Sequence, residues 1–304
     1  MMNEELKKQL RNRRICVVIP TYNNDKTIKT VVEKCLLYCD DVIVVTDGCT
    51  DRTTDILHAI DGITIVSYAQ NRGKGYALKM GFRKALEMGF SYAITLDGDG
   101  QHYPEDIPLF LKANQQHPQS LIIGSRQLEG VDRTKGSSFA NKFSNFWFYV
   151  QTGRALPDTQ TGYRLYPLHR LYGLSLLTSR YEAELELLVF ASWHGVKLVP
   201  IPIQVYYPPR NERVSHFRPG KDFARISVLN TILCFLAVVY GLPLRLWRAL
   251  TATLRTVYSL LFFLFFTLVV FTPFVWIYTK FGKMTERRRY RLHQLIYHAS
   301  RFVM

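Results

Sequence analysis

The chain has 304 residues, 48% of them hydrophobic, which is enough to bury a sizeable core in one or two domains. Its formal net charge of +15 suits nucleic acid, an anionic membrane surface or a phosphorylated ligand as partner. The basic clusters at 210–225 and 280–301 flank long apolar segments, and the sequence contains no aromatic-basic nucleic-acid module. The charge pattern therefore favours a membrane and argues against nucleic acid.

Apolar, β-rich runs alternate with helical patterns from Ile15 to about Ser125. The runs read ICVVI, DVIVVT, ITIVS, YAITL and LIIG, and segments 26–38, 52–60 and 75–88 between them carry apolar residues at helical spacing. Continuous apolar runs are typical of strands that are covered on both faces. The sequence therefore predicts an α/β fold with a parallel sheet and right-handed crossovers, in which ligands bind at the carboxyl ends of the strands.

Residues 126–222 are less regular. A helix is predicted at about 182–194, and VKLVPIPIQVYY (196–207) predicts a pair of short strands. We therefore expect a first domain, 1–222, that carries the site. The N-terminal stretch MMNEELKKQLRNRR lacks an apolar signal-peptide core, so this domain is expected to face the cytosol.

The composition changes after residue 222. Residues 226–244 and 256–278 are uncharged runs of 19 and 23 residues, so 223–304 is predicted to be a membrane region with two apolar helices and a basic tail. An even number of crossings is favoured, because a single crossing would place the basic tail outside. An interfacial first helix with a re-entrant second one remains an alternative. The expected location is the cytoplasmic (inner) membrane.

Two carboxylates, Asp97 and Asp99, directly follow the run YAITL in the stretch TLDGDGQHYPED (95–106). At a strand end, such a pair can converge on one hard divalent cation, Mg²⁺ or Mn²⁺, which prefers oxygen ligands and is often shared with substrate phosphates. Gln101 is a further candidate ligand. The plainer interpretation is a polar turn with solvated acids. Glu105 and Asp106 follow Pro104 and are expected in the first turn of a helix.

Two further motifs are weak on their own. Asp47, in TDGCTDRT (46–53), follows the second strand and is a candidate acceptor for base or ribose groups, although a capped strand-to-helix turn would use the same residues. Lys74, in NRGKGYAL (71–78), lies between glycines that open a helix, a setting suited to anionic groups.

Six stretches, taken together, carry a resemblance. They are VVIPTYNN (17–24), VIVVTDGCTDRT (42–53), NRGKGYA (71–77), LDGDGQHYPED (96–106), GSR (124–126) and DTQTGYR (158–164). In this order and spacing they resemble glycosyltransferase family 2, particularly its dolichyl- or polyprenyl-phosphate sugar (mannosyl or glucosyl) synthases. The resemblance covers roughly residues 15–220. It implies a GT-A (Rossmann-like nucleotide-diphospho-sugar transferase) fold and an inverting, metal-dependent transfer from a GDP- or UDP-linked sugar.

The resemblance also implies roles for individual residues. Those expected to bind the nucleotide sugar are Pro20, Tyr22, Asp47, Lys74, Asp97, Arg213 and Ser215. The implied metal ligands are Asp97, Asp99 and Gln101. Arg133 and Ser137 resemble residues that hold the lipid phosphate. The implied catalytic set is Asp99, Arg126, Asp158 and Arg164, where Arg126 positions phosphate and Asp158, Gly162 and Arg164 belong to the acceptor-side loop.

The chemistry of the acceptor leaves alternatives open. A polyprenyl phosphate, such as undecaprenyl or dolichyl phosphate, is already ionised and needs no general base. A hydroxyl of a membrane glycolipid precursor needs a base, for which Glu182, Glu184, Glu186 or Asp158 are candidates. Glu182 and Glu186 are one helical turn apart, so a solvated helix face is their expected place.

Two further classes are weighed against these transferases. A non-catalytic nucleotide-binding membrane protein is a minor alternative. A nucleotidyltransferase would need a glycine-rich loop where PTYNN stands. The sequence leaves open whether copies of the chain form a homo-oligomer.

Overall fold

The structure is a computed structural model, and it describes residues 2–127, 135–171, 173, 178–206, 219–281, 290, 291, 293–295, 297 and 298. The chain divides into two units, Met1–Leu242 and Pro243–Met304. The first unit contains a seven-stranded sheet with the strand order β3-β2-β1-β4-β6-β5-β7. The strands are β1 (Ile15–Thr21), β2 (Val42–Asp47), β3 (Ile63–Tyr68), β4 (Tyr92–Thr95), β5 (Leu121–Arg126), β6 (Arg164–Pro167) and β7 (Leu198–Ile203).

The helices of the first unit lie between and after these strands. They are α1 (Met2–Asn12), α2 (Ile28–Tyr38), α3 (Thr53–His58), α4 (Lys74–Glu87), α5 (Ile107–Gln116), α6 (Lys135–Thr152), α7 (Leu168–Leu171), α8 (Glu182–Trp193) and α9 (Pro219–Leu236). A 3₁₀ turn, Pro104–Asp106, precedes α5, as the charge pattern predicts for a helix start.

Both faces of the sheet are covered, which explains the continuous apolar runs. On one face, Val17 and Ile19 of β1 share a core with α2 and α5. On the other face, Val18 lies against Gly81 of α4, where an added Cβ would come within 2.5 Å of the valine side chain. Because successive side chains of a strand point to opposite faces, β1 can be apolar throughout. The predicted strands from β1 to β5 are confirmed.

The predicted strands β1 to β5 run parallel to one another, and the antiparallel strand of the sheet is β6, which lies beyond them in the sequence. This strand runs antiparallel to both neighbours, with Thr95 of β4 opposite Arg164. Four residues that include a buried arginine carry no strand signal. The chain enters β6 from the carboxyl end of β4, so the strand must run in the opposite direction. This reversal brings the loop before Arg164 next to the residues after Thr95.

Within its described residues, VKLVPIPIQVYY forms one strand, so the predicted pair of strands is wrong there. One strand, β7, forms in parallel pairing with β5, and Val205 makes only an isolated bridge with His102. Prolines at 200 and 202 remove two backbone donors, which limits pairing on a second edge.

Both predicted apolar segments, 226–244 and 256–278, lie in helical parts of the chain. After α9 come a π-helical turn, Ala237–Gly241, and α10 (Leu242–Phe265), followed by a second π-helical turn, Phe266–Phe271, and α11 (Thr272–Phe281). Within the described residues, one helix, Ala224–Trp276, is long and apolar enough by length and composition to cross a membrane. The number of crossings remains a prediction.

Candidate active site

The two carboxylates of the predicted metal site lie in the loop that follows β4. Asp97 and Asp99 are both partly buried, and the backbone N–H of Gln101 donates to Asp99 Oδ1 at 3.0 Å. The Gln101 carbonyl in turn accepts from the backbone N–H of Tyr206 at 2.8 Å. The loop therefore holds Asp99 and Gln101 next to Tyr206.

Asp97 belongs to an ion-pair cluster whose centre is Lys74. Lys74 Nζ lies 2.7 Å from Asp97 Oδ1 and 2.8 Å from Glu184 Oε2, and the Lys74 side chain is only 16% exposed. Burial opposes the charge on Asp97, but Lys74 outweighs it and lowers the pKa of Asp97. Burial likewise opposes the charge of Lys74, and the two carboxylates raise its pKa. Asp97 and Lys74 are therefore both ionised at neutral pH.

Close packing of α4 against α8 produces this cluster. A Cβ on Gly75 would overlap Ala183 Cβ, and the backbone N–H of Tyr76 donates to the Ser179 carbonyl at 2.9 Å. The glycines of NRGKG therefore allow the two helix starts to approach closely. Lys74 is consequently placed between the strand-end loop and Glu184.

Asp99 differs from Asp97 in its electrostatic surroundings. Among the described residues, no basic side chain lies within ion-pair distance of Asp99. Burial, and then the charge of Asp97, raise the pKa of Asp99 to about 6. Among these residues no group of three or more His, Cys, Asp or Glu is arranged to hold a metal, so a site here combines two acids with Gln101 or with ligand oxygens.

The raised pKa of Asp99 predicts a pH-dependent stability difference between the metal-free protein and its Asp99→Asn variant. Because the folded-state pKa of about 6 exceeds the ordinary 3.8, the folded parent loses stability as the pH rises between these values. We expect the variant to gain on the parent over this window and to be the more stable above it. At about 1.4 kcal/mol per pKa unit, the gain in unfolding free energy is at most roughly 3 kcal/mol. Unfolding curves recorded in chelator check this, and a difference that does not change with pH contradicts it.

Arg126 and Asp158, both predicted site residues, bind each other. Arg126 Nε donates to Asp158 Oδ2 at 2.6 Å and Nη2 donates to Oδ1 at 2.9 Å, which is a two-point contact. Asp158 is 1% exposed and also accepts from the backbone N–H of Gln160. The pair ties the end of β5 to the loop before β6.

Arg164 is fully buried, and its guanidinium joins separate parts of the fold through hydrogen bonds. Its Nη1 donates to the Glu184 carbonyl at 2.9 Å and to the Tyr166 hydroxyl at 3.2 Å, and Nη2 donates to the Thr159 carbonyl at 2.8 Å. Its guanidinium therefore links α8 to the loop before β6.

Asp47 lies at the end of β2 and holds the NRGKG loop. Its two carboxylate oxygens accept from the backbone N–H groups of Arg72 at 2.7 Å and Gly73 at 2.8 Å. The Arg72 guanidinium stacks over the Tyr76 ring at 3.9 Å, and Tyr76 meets Tyr68 edge to face. Pro20 lies buried in β1. The expected nucleotide side is thus built from the ends of three adjacent strands.

A cleft of about 670 Å³ opens beside Asp99. Its wall consists of the chain after β1, the start of α2, the loop that follows Asp99, and Tyr206. Tyr22 is half-buried at the start of the same segment after β1. Of the other predicted residues, Arg133, Arg213 and Ser215 lie outside the described residues, and Ser137 lies within α6.

The expected solvated face of α8 is wrong. Glu182, Glu184 and Glu186 are all buried, at 7%, 7% and 0% exposure. Glu184 binds Lys74, and Glu186 Oε2 accepts from the Thr178 N–H and hydroxyl at 2.9 and 2.6 Å. Carboxylates can be buried when they are paired in this way, and a helix surrounded by protein on all sides shows no periodicity that reveals it.

His102 is a site residue that sequence reasoning did not single out. It is 7% exposed, its ring packs against Tyr163, and its Nδ1 lies 3.5 Å from the Asp97 N–H. Burial lowers the pKa of His102 to about 4, so the ring is neutral at physiological pH. Its place in a buried turn beside Asp97 is visible only in the folded chain.

Comparison with known proteins agrees with this geometry. The model of the family described as "Glycosyl transferase family 2" matches residues 16–167. The UDP-N-acetylglucosamine–dolichyl-phosphate N-acetylglucosaminyltransferase of Methanococcus voltae is 28% identical over 64% of this chain and 86% of its own length. The polyprenol monophosphomannose synthase of Mycolicibacterium smegmatis is 30% identical over 63% of this chain and 77% of its own.

A solved structure shares the fold. The glucosyl-3-phosphoglycerate synthase of Mycobacterium tuberculosis, in complex with Mn²⁺ and UDP-glucose, superposes with a TM-score of 0.56 and 20% sequence identity, covering 77% of this chain and 82% of that chain. This likeness and the mixed sheet confirm the predicted GT-A fold. With the family match and its named relatives, the chain belongs to glycosyl transferase family 2 and is a glycosyltransferase.

Proposed function

We propose that this enzyme transfers a sugar from a nucleoside diphosphate sugar to a polyprenyl phosphate, such as undecaprenyl or dolichyl phosphate, with inversion at the anomeric carbon. An ionised phosphate oxygen of the acceptor forms a bond to that carbon, while the bond to the nucleoside diphosphate breaks and the diphosphate leaves with the electron pair. The names of the two relatives support this acceptor class, since one names dolichyl phosphate and the other names polyprenol monophosphomannose as its product.

The observation that carries the proposal is that the carboxylates predicted as possible general bases are paired or buried. A hydroxyl acceptor requires a general base, but Glu184 is bound to Lys74, Glu186 to Thr178 and Asp158 to Arg126. The remaining candidate, Glu182, is 7% exposed. A phosphate acceptor is already ionised at neutral pH and needs no such base. The pairing and burial of these acids therefore favour a phosphate acceptor over a hydroxyl acceptor.

A divalent cation, Mg²⁺ or Mn²⁺, fits the strand-end site. The chain would hold it with Asp97, Asp99 and Gln101, and the strongest reason is Asp99, a desolvated carboxylate that has no ion-pair partner among the described residues. When bound, such a cation acts as a Lewis acid on the departing diphosphate. The complex of the mycobacterial synthase with Mn²⁺ and UDP-glucose supports this assignment.

The chain's own residues supply the rest of the arrangement. Arg126, oriented by Asp158 at the end of β5, places a guanidinium group at the carboxyl edge of the sheet. We assign Arg164 to positioning this loop, because it is buried beneath it. Pro20, Tyr22, Asp47 and Lys74 form the donor side.

The remaining assignments extend the same proposal to the lipid. Arg133 and Ser137 are assigned to the acceptor phosphate, and Arg213 and Ser215 to a loop over the donor. We assign residues 1–222 to the catalytic domain and 223–304 to the membrane region, with the site facing the cytosol at the cytoplasmic membrane. The apolar helix Ala224–Trp276 supports the membrane assignment by its composition.

A donor and acceptor screen tests the function. Membranes that contain the full chain are incubated with radiolabelled GDP-mannose, UDP-glucose or UDP-N-acetylglucosamine, together with undecaprenyl or dolichyl phosphate. We expect label in a lipid product that is stable to base but released by mild acid, as for a sugar phosphate ester of a polyprenol. Label in a neutral glycolipid would favour the hydroxyl acceptor, and no labelled lipid with any pair would contradict the polyprenyl-phosphate assignment.

A further inference from the structure

Lys74 is shared between two carboxylates that come from different parts of the fold. Asp97 belongs to the loop after β4, and Glu184 lies in the first turn of α8. The loop before β6 closes over the contact, since a Cβ on Gly162 would lie 2.7 Å from Lys74 Nζ and 2.8 Å from Asp97 Oδ2. The ammonium is therefore confined and has little access to water.

Binding of a divalent cation would affect the two carboxylate partners of Lys74 differently. The oxygens of Asp97 would then serve the cation, and the positive charge of Lys74 would oppose it. A buried ammonium that loses its only carboxylate is strongly disfavoured. With Glu184 present, Lys74 keeps a counter-charge at 2.8 Å throughout.

Glu184 also has spare hydrogen-bonding capacity. Its Oε2 accepts from Lys74, while its Oε1 is buried and has no hydrogen-bond partner among the described residues. A buried, unpartnered carboxylate oxygen is unusual in a folded protein. Here the unpartnered oxygen belongs to Glu184. This carboxylate would become the main hydrogen-bond acceptor of the Lys74 ammonium once Asp97 binds the cation.

We propose that Glu184 is a positioning residue for the metal site: it holds the Lys74 ammonium so that Asp97 can serve as a ligand of a divalent cation. The inference rests on the metal site of the proposed function. Glu184 does not touch the cation in this role and acts only through Lys74. The cation whose binding Glu184 favours in this way is Mg²⁺ or Mn²⁺.

The test measures Mn²⁺ binding to the purified, detergent-solubilised full chain from the electron paramagnetic resonance signal of free Mn²⁺, without nucleotide. Glu184→Gln is expected to weaken Mn²⁺ binding about tenfold, the scale of coupling between contacting charges. In a Lys74→Met background, where no ammonium competes for Asp97, the same substitution is expected to change the affinity less than about twofold.

A matched control separates this role from support of the fold. Glu186→Gln makes the same chemical change on the same helix, but Glu186 binds Thr178 and not Lys74. We expect it to keep the parent's Mn²⁺ affinity even if its melting temperature falls. If Glu184→Gln does not fold, Glu184→Asp is measured in the same two backgrounds. Its shorter side chain keeps the charge but holds it farther from Lys74, so we expect a smaller loss of Mn²⁺ affinity with the same dependence on Lys74.

Two results would overturn the inference while leaving the metal site in place. One is an unchanged affinity in Glu184→Gln. The other is an equal loss of Mn²⁺ affinity with and without the Lys74→Met substitution. That result would mean that the charge of Glu184 attracts the cation directly and does not act through Lys74. Failure of the parent itself to bind Mn²⁺ would overturn the metal assignment of the proposed function, and the inference with it.

Discussion

Asp99→Asn is expected to lower the rate of sugar transfer about 100- to 1000-fold, the usual cost of removing one preorganised electrostatic contact from an active site. Asp99 is the strand-end acid whose charge no basic group among the described residues balances, and burial raises its pKa to about 6. Asparagine fits the same space without that charge. The variant should therefore lose activity while its metal-free melting temperature stays equal to the parent's or rises.

Loss of turnover without loss of stability distinguishes a metal-binding role of Asp99 from a structural one. The measurement is a transfer assay on the purified variant beside its thermal melt in chelator. Asp55→Asn, an exposed acid in α3, is the control and should match the parent in both. Turnover of Asp99→Asn near the parent's rate would remove Asp99 from the metal site.

Asp158→Asn is expected to destabilise the protein by about 3–5 kcal/mol, the cost of breaking a buried ion pair from one side. Asp158 is 1% exposed and neutralises Arg126, whose side chain is 17% exposed, through a two-point contact. Asparagine removes that charge. For a unit of this size the loss corresponds to a fall in melting temperature of roughly 10 °C.

A double variant checks the cause of this loss. Arg126→Met together with Asp158→Asn removes both charges, so it should lose less stability than the sum of the two single variants. Thermal melts of all four proteins in one detergent provide the comparison. Additive losses would show that the ion pair itself contributes little to the stability of the fold.

The strand-end acids were predictable from the sequence for a local reason. Asp97 and Asp99 follow an apolar run that must be a buried strand, and the carboxyl ends of parallel strands meet at one edge of a sheet. Asp47 was predicted at the same edge by the same argument. Each of these inferences uses only neighbours along the chain and the period of the hydrophobic pattern.

The partners of these acids were not predictable in that way. Lys74 meets Glu184, which lies far along the chain, and nothing in the EAELEL pattern distinguishes a buried acidic helix start from a solvated one. Arg126 meets Asp158 because β6 turns back between β4 and β5. Residue spacing describes a helix or a strand, but contacts between distant elements depend on how those elements pack.

The sequence by itself determined the strands β1 to β5, the family and the place of the acidic strand-end site, because these follow from local periodicity and from motifs in a fixed order. Only the tertiary structure decided that β6 is antiparallel and that the glutamates of α8 are buried. It alone showed that Lys74 joins two carboxylates. The physical reason is that burial of a charge depends on a partner from another element, and the chain must fold before the two can meet.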